Sequence, residues 1–204
     1  MKKRIAFYIL VFMCLLVNFN IVYATPAILS ESAVLIDASS GTILAQKNAD
    51  KKMYPASLTK IMTAILAIEL GELTDVITVD DDTPFEIEGS HIALEPGEIL
   101  TLKDLLYALM LPSANDAASV IAKHYGGSLE NFVKMMNQKA KELGAYNTNF
   151  TNPHGLHDTN HYSTAADLAL ITKYTMENDT FRKIVSTTKY EIQTTNKKDE
   201  PRYF

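Results

Sequence analysis

Ser57 and Lys60 stand three residues apart in the run Tyr54-Pro55-Ala56-Ser57-Leu58-Thr59-Lys60-Ile61-Met62-Thr63. On a helix that spacing brings the two side chains to one face, close enough to touch. From Ala56 to Leu70 the residues are almost all apolar, with Leu58, Ile61, Met62, Ile65, Leu66, Ile68 and Leu70 spread around every face. A helix apolar all round is a buried helix, and an ammonium in such a place is costly unless it is paired or gives up its proton. A serine hydroxyl beside a lysine of lowered pKa is an activated nucleophile. The alternative is structural: Ser57 as a helix N-cap and Lys60 snorkelling to the surface. Spacing alone does not decide, because Ser186 and Lys189 repeat it in a Thr-rich loop. Pro55 just ahead of the helix favours the first pair, since it fixes the helix start and sets Ser57 at the positive end of the dipole.

Ser113-Ala114-Asn115 is the second candidate, in a tight break between two helical patterns. Short polar residues there read first as N-caps. A hydroxyl and a carboxamide aimed into a cleft would instead relay a proton and hold a carbonyl. A third constellation, His154-x-x-His157-x-x-x-His161 with Asp158, has the residue types of a zinc peptidase site. Pro153 and Gly155 stop a continuous helix from aligning the three histidines.

The elements that must position these residues follow from pattern. Ala33–Asp37 and Thr42–Ala45 flank a turn and predict a β-hairpin. Gly71 is expected to close the central helix as a C-cap. Val76–Val79 reads as a strand, and Phe85–Gly97, with its Pro and Gly, as irregular structure. Thr101-Leu102-Lys103-Asp104 resembles a capping box opening a helix that Pro112 stops. The next helix ends at Gly126-Gly127, and Ser128 caps another that carries Phe132, Met135, Met136 and Leu143. The two methionines read as core filler. Asn152–His157 is a turn-rich loop, Ser163 caps a helix through Tyr174, and Tyr190–Thr195 is a strand. The result is one mixed α/β domain, helical in its middle.

The first 24 residues stand apart. Lys2, Lys3 and Arg4 precede the apolar run Ile5–Val17, and Val22-Tyr23-Ala24 has the small residues of a cleavage site, so the segment reads as a secretory signal peptide. Asn18 and Asn20 interrupt the run short of membrane-spanning length. Cys14, the sole cysteine, lies inside it, and Met13 before it is not the small residue a lipid-anchoring signal wants. Cleavage leaves residues 25–204 without thiols or disulfides. It also leaves 16 Lys and Arg against 24 Asp and Glu, a balance of −8. That acidity disfavours nucleic acid and anionic lipid as partners.

Taken jointly, Ser57-x-x-Lys60 and Ser113-x-Asn115 resemble the penicillin-recognising serine enzymes, whose signature is S-x-x-K, a Ser-x-Asn element and K-T-G. Within that group the chain more closely resembles the low-molecular-weight penicillin-binding proteins, the serine-type D-alanyl-D-alanine carboxypeptidases. Four runs carry the likeness: Tyr54–Thr63, Leu111–Ala118, Met136–Ala140 and Asn152–Leu156. The resemblance implies a helical cluster against an antiparallel sheet. It implies Ser57 as acyl-ester nucleophile on the penultimate D-alanine of a peptidoglycan stem pentapeptide, and Lys60 as its general base. Ser113 would be a proton relay and Asn115 would orient Lys60 and the substrate amide, with the Ser57 N–H as one oxyanion donor. β-Lactams would acylate the same serine, and no cofactor or metal is implied. No Lys-Thr-Gly occurs in the 204 residues. The reading is therefore of the N-terminal portion of such a domain, incomplete at its C-terminus and doubtful in activity alone, with membrane attachment left open. A class A β-lactamase would want Asp where Ala114 stands and a later deacylating glutamate. A non-catalytic remnant or binding module of the same fold is the remaining alternative.

Overall fold

Lys60 lies in the helix around which the other elements pack. In the computed structural model, which describes residues 28–82 and 88–204, a short 3-10 turn at Ala56–Leu58 runs into α1, Thr59–Leu70. Eight of the twelve α1 residues are buried, among them Lys60, Met62, Ile65 and Leu66. The signal-peptide segment and residues 83–87 lie outside the described residues.

Among the described residues the strands form three two-stranded antiparallel sheets. The predicted hairpin forms as β1, Ala33–Ile36, and β2, Ile43–Lys47, with Ala33 opposite Lys47 and a register shift at Leu35/Ile36. β3, Val76–Thr78, pairs with β4, Ile99–Thr101, so that Ile77 and Leu100 meet in the core. β4 was not expected: three residues that run straight into a helix cap are too few to display alternation. β5, Glu191–Ile192, pairs with β6, Arg202–Tyr203, a shorter strand than Tyr190–Thr195 suggested.

The helices follow their start signals. α2, Leu102–Met110, opens on a capping box: Thr101 Oγ1 accepts from the Asp104 N–H at 3.1 Å and the Asp104 carboxylate accepts from the Thr101 N–H at 3.3 Å. α3 is Asn115–Gly126, closed by Gly127 in the left-handed region, and α4, Leu129–Glu142, is capped by Ser128. Met136 is fully buried in the core with Phe132, and Met135 packs beside it. α5, Ala165–Met176, is capped by Thr164 rather than Ser163, whose backbone instead pairs with Met53. α6, Asp179–Val185, is capped by Asn178.

Gly71 closes α1 as its C-cap, as expected, but not in the left-handed conformation usual for a capping glycine. It ends α1 in an extended conformation, φ −138°, ψ 173°, which any residue can adopt. Glycine is needed there because a Cβ would stand 2.1 Å from the Tyr125 hydroxyl and 2.6 Å from Asp75 Oδ2. Those two groups are hydrogen-bonded at 2.8 Å.

Candidate active site

Ser57 sits in the 3-10 turn, exposed, one turn before the buried Lys60. The turn begins at Ala56, whose φ of +48° lies in the left-handed region, a strained state for a residue with a Cβ. Lys60 is only 2 % exposed, so snorkelling to the surface does not occur. Its ammonium donates to Asn115 Oδ1 at 2.7 Å and to the His154 carbonyl at 2.8 Å, and lies 3.5 Å from Ser57 Oγ. The first two are strong charge-assisted bonds. The third is at the outer limit of a hydrogen bond. Burial lowers the Lys60 pKa to about 8 in spite of both acceptors, so roughly a tenth of the lysine is a neutral base at pH 7.

Asn115 is the first residue of α3, and its side chain caps nothing; Ala114 is the N-cap, without a side-chain bond. The carboxamide orientation is fixed by its partners: Oδ1 receives Lys60, and Nδ2 donates to the Glu88 carbonyl at 2.6 Å. Ser113 stands at φ +62°, a second left-handed residue at the site. Its hydroxyl has no hydrogen-bond partner among the described residues. The structure thus joins Ser57, Lys60 and Asn115 in one cluster, to which Ser113 makes no hydrogen bond among the described residues.

The three histidines have separate roles that do not converge. His154 meets Lys60 through its backbone, and its ring is held neutral, at about 4, by burial and then by the Lys60 charge. His157 lies edge-on to the Tyr54 ring. His161 Nδ1 accepts the Thr151 N–H at 3.0 Å, so the proton is on Nε2, which donates to Thr59 Oγ1 at 2.7 Å. Burial lowers its pKa as well, partly opposed by the Asp158 charge. Among the described residues no group of three His, Cys, Asp or Glu is placed to hold a metal ion. These placements overturn the zinc-peptidase alternative.

Sequence reasoning missed the backbone acceptors and the segments that carry them. A carbonyl such as that of His154 leaves no mark in a side-chain pattern. Asp116 was also passed over: its buried carboxylate accepts the Ile92 and Leu94 N–H groups, each at 3.1 Å to Oδ2, and so ties the 88–94 segment to α3 beside Asn115. The only available signal was a charge inside the apolar Ala114–Ala122 run.

With this geometry in view, comparison with known proteins decides the family. Residues 20–203 match the family described as D-alanyl-D-alanine carboxypeptidase, peptidase S11. The chain belongs to that family. Among curated carboxypeptidases it is 41 % identical over 175 residues to DacF of Bacillus subtilis, covering 83 % of this chain and 45 % of that protein. It is 39 % identical over 158 residues to DacC of Escherichia coli, covering 72 % of this chain and 40 % of that one. Among solved structures, penicillin binding protein 5 of Haemophilus influenzae aligns with a TM-score of 0.78 at 35 % identity, over 88 % of this chain and 54 % of that one. A variant of a Streptomyces DD-transpeptidase aligns with a TM-score of 0.81 at 32 % identity, over 88 % and 74 %. The fold of these carboxypeptidases, α+β with helices against antiparallel strands, is the one described above. The chain spans less than half the length of these two curated relatives.

Proposed function

We propose that the chain carries the acylating residues of a serine-type D-alanyl-D-alanine carboxypeptidase. Ser57 Oγ attacks the carbonyl of the penultimate D-alanine of a peptidoglycan stem peptide as neutral Lys60 takes its proton. The new C–O bond forms the acyl-enzyme, and the C–N bond breaks with a proton delivered to the departing D-alanine amine, Ser113 being the relay. Water then adds to the ester: its hydroxyl completes the carboxyl group of the shortened peptide, its other proton goes to Ser57 Oγ, and the acyl C–O bond to Ser57 breaks. Asn115 holds Lys60 through Oδ1, and among the described residues its Nδ2 has one acceptor, the Glu88 carbonyl, which leaves its second proton for a substrate carbonyl. The observation that carries this reading is a buried lysine with a lowered pKa lying between a serine hydroxyl and a carboxamide oxygen. β-Lactams, which mimic the dipeptide, are the matching covalent ligands. The N-terminal basic and apolar segment supports action outside the cytoplasmic membrane, at the cell envelope, where such peptides exist. Among the described residues no helix is long and apolar enough to cross a membrane.

Labelled penicillin tests the proposal. The expected result is one adduct per chain on the peptide containing Ser57, lost in Ser57→Ala with an unchanged melting temperature. A folded chain that takes up label at another residue, or none at all, overturns it.

A further inference from the structure

Both sides of the acylating cluster rest on one loop, Asn152-Pro153-His154-Gly155-Leu156. On the base side, the His154 carbonyl accepts from Lys60 at 2.8 Å and the Pro153 carbonyl accepts from Thr63 Oγ1, one turn along α1, at 2.6 Å. On the nucleophile side, Gly155 lies against the peptide between Ala56 and Ser57. A Cβ on Gly155 would stand 1.9 Å from the Ala56 carbonyl oxygen, and the glycine φ of +90° already requires the left-handed region. The Ala56–Ser57 peptide is trans and planar, so its C=O and N–H point in opposite directions. With the carbonyl turned to Gly155 and to the Thr59 N–H, the Ser57 N–H is directed away from the loop.

Two side chains of the loop fold it: His154 Nδ1 accepts the Leu156 N–H at 3.2 Å, and Asn152 makes the larger share of the bonds. Asn152 Oδ1 accepts the His154 N–H at 3.3 Å and the Gly155 N–H at 2.6 Å, while Nδ2 donates to the Leu156 carbonyl at 2.9 Å. One carboxamide thus gathers three backbone groups that have no strand or helix to pair them. No hydrogen bond joins the Asn152 side chain to Lys60 or Ser57.

We propose that Asn152 is a positioning residue for acylation, setting the His154 carbonyl against Lys60 and Gly155 against the peptide that leads into Ser57. The proposal rests on the serine acyl-transfer reading above. It differs from a purely structural role in what it predicts: loss of the bond-making rate without loss of initial binding, because base and nucleophile drift while the cleft remains.

The experiment compares wild type, Asn152→Ala and Asn152→Asp with labelled penicillin in stopped flow at about pH 9.5, where Lys60 is mostly neutral in all three. Asn152→Ala is expected to lower the acylation rate constant at least about tenfold with Kd and Tm little changed. Asn152→Asp keeps the acceptor for both N–H groups and is expected to restore most of that rate. An alanine variant within about twofold of wild type, or a loss that aspartate does not restore, overturns the proposal. Should the alanine variant not fold, Asn152→Ser, with one shorter acceptor, replaces it under the same criteria. If the wild type does not react, the acyl-transfer reading fails and Lys60 still reads the loop by lysine 13Cε titration. A midpoint lowered by more than about 0.3 pH unit in Asn152→Ala then supports positioning, and a smaller change overturns it.

Discussion

Lys60 has two good acceptors and still holds its proton less tightly than a lysine in water, because the cost of burying the ammonium exceeds what Asn115 and His154 return. Two predictions follow at this scale. Penicillin acylation should rise with pH to a half-maximum near the Lys60 value of about 8, with the His154 ring, at about 4, contributing nothing between pH 5 and 7; a rate profile of acylation against pH checks this. Stability should carry the same signature. The lowered pKa is a penalty fully present below about pH 8 and relieved as pH rises toward the ordinary 10.5, since the unfolded chain then keeps a proton the folded one has shed. Urea unfolding of wild type and Lys60→Met at both ends of that window should show wild type gaining up to roughly 3 kcal/mol on the variant. The anomaly of Lys60 was legible in sequence because a cation in an all-apolar helix has few explanations. The half-turn that separates Ser57 from an ordinary N-cap was not, because it depends on a left-handed Ala56 that nothing in the residue type announces.

Elements are held by a few buried polar ties, and the clearest joins the β5–β6 hairpin to the segment before β4. Glu98 is fully buried. Burial alone would raise its carboxyl pKa, yet hydrogen bonds from Arg202, Thr195 and the Glu95 N–H hold it below the usual value. Arg202 approaches with Nη2 at 3.0 Å from Oε2 and Nη1 at 2.8 Å from Oε1. Removing one partner strands the other charge in a dry place, so Glu98→Ala should cost about 3–5 kcal/mol in urea unfolding. Glu98→Met with Arg202→Met should recover most of that. Gly71→Ala tests a different tie: its Cβ would displace the Tyr125 hydroxyl from Asp75, for a loss of about 1–3 kcal/mol that Tyr125→Phe partly relieves. Helix starts were readable at Thr101 and Ser128 because these caps act locally. Sheet partners were less so, since β4 and β5 are fixed by distant segments and not by their own alternation. Thr164 in place of Ser163 is the limit of resolution where two hydroxyl residues adjoin.

At the scale of the molecule, apolar surface is unevenly covered. Leu35 is 57 % exposed, Leu44 62 % and Tyr203 70 %, and an apolar groove of about 610 Å³ runs between β1 and α5, lined by Val34, Ile36, Leu58, Ile61 and Leu168. A two-stranded sheet offers unpaired edges beside that surface, the condition under which chains associate. Light scattering of the purified chain should therefore rise with concentration, and Leu35→Lys with Leu44→Lys should reduce it without changing the far-UV circular dichroism. The mixed α+β class and the helical middle were legible from the periodicities. The separation into three small sheets was not, because pairing between strands is a property of the whole chain.

The partners of Lys60 have one more consequence. Asn115 is 55 residues away along the chain and His154 is 94, while Ser57 is a near neighbour. Closing contacts of that span is late work in folding, because chain entropy opposes long loops before packing rewards them. Until α3 and the 152–156 loop have condensed onto α1, Lys60 is an ordinary hydrated lysine and Ser57 an ordinary alcohol. On the acyl-transfer proposal, reactivity belongs to the finished tertiary structure, and an unfolded chain would carry the motif without the chemistry.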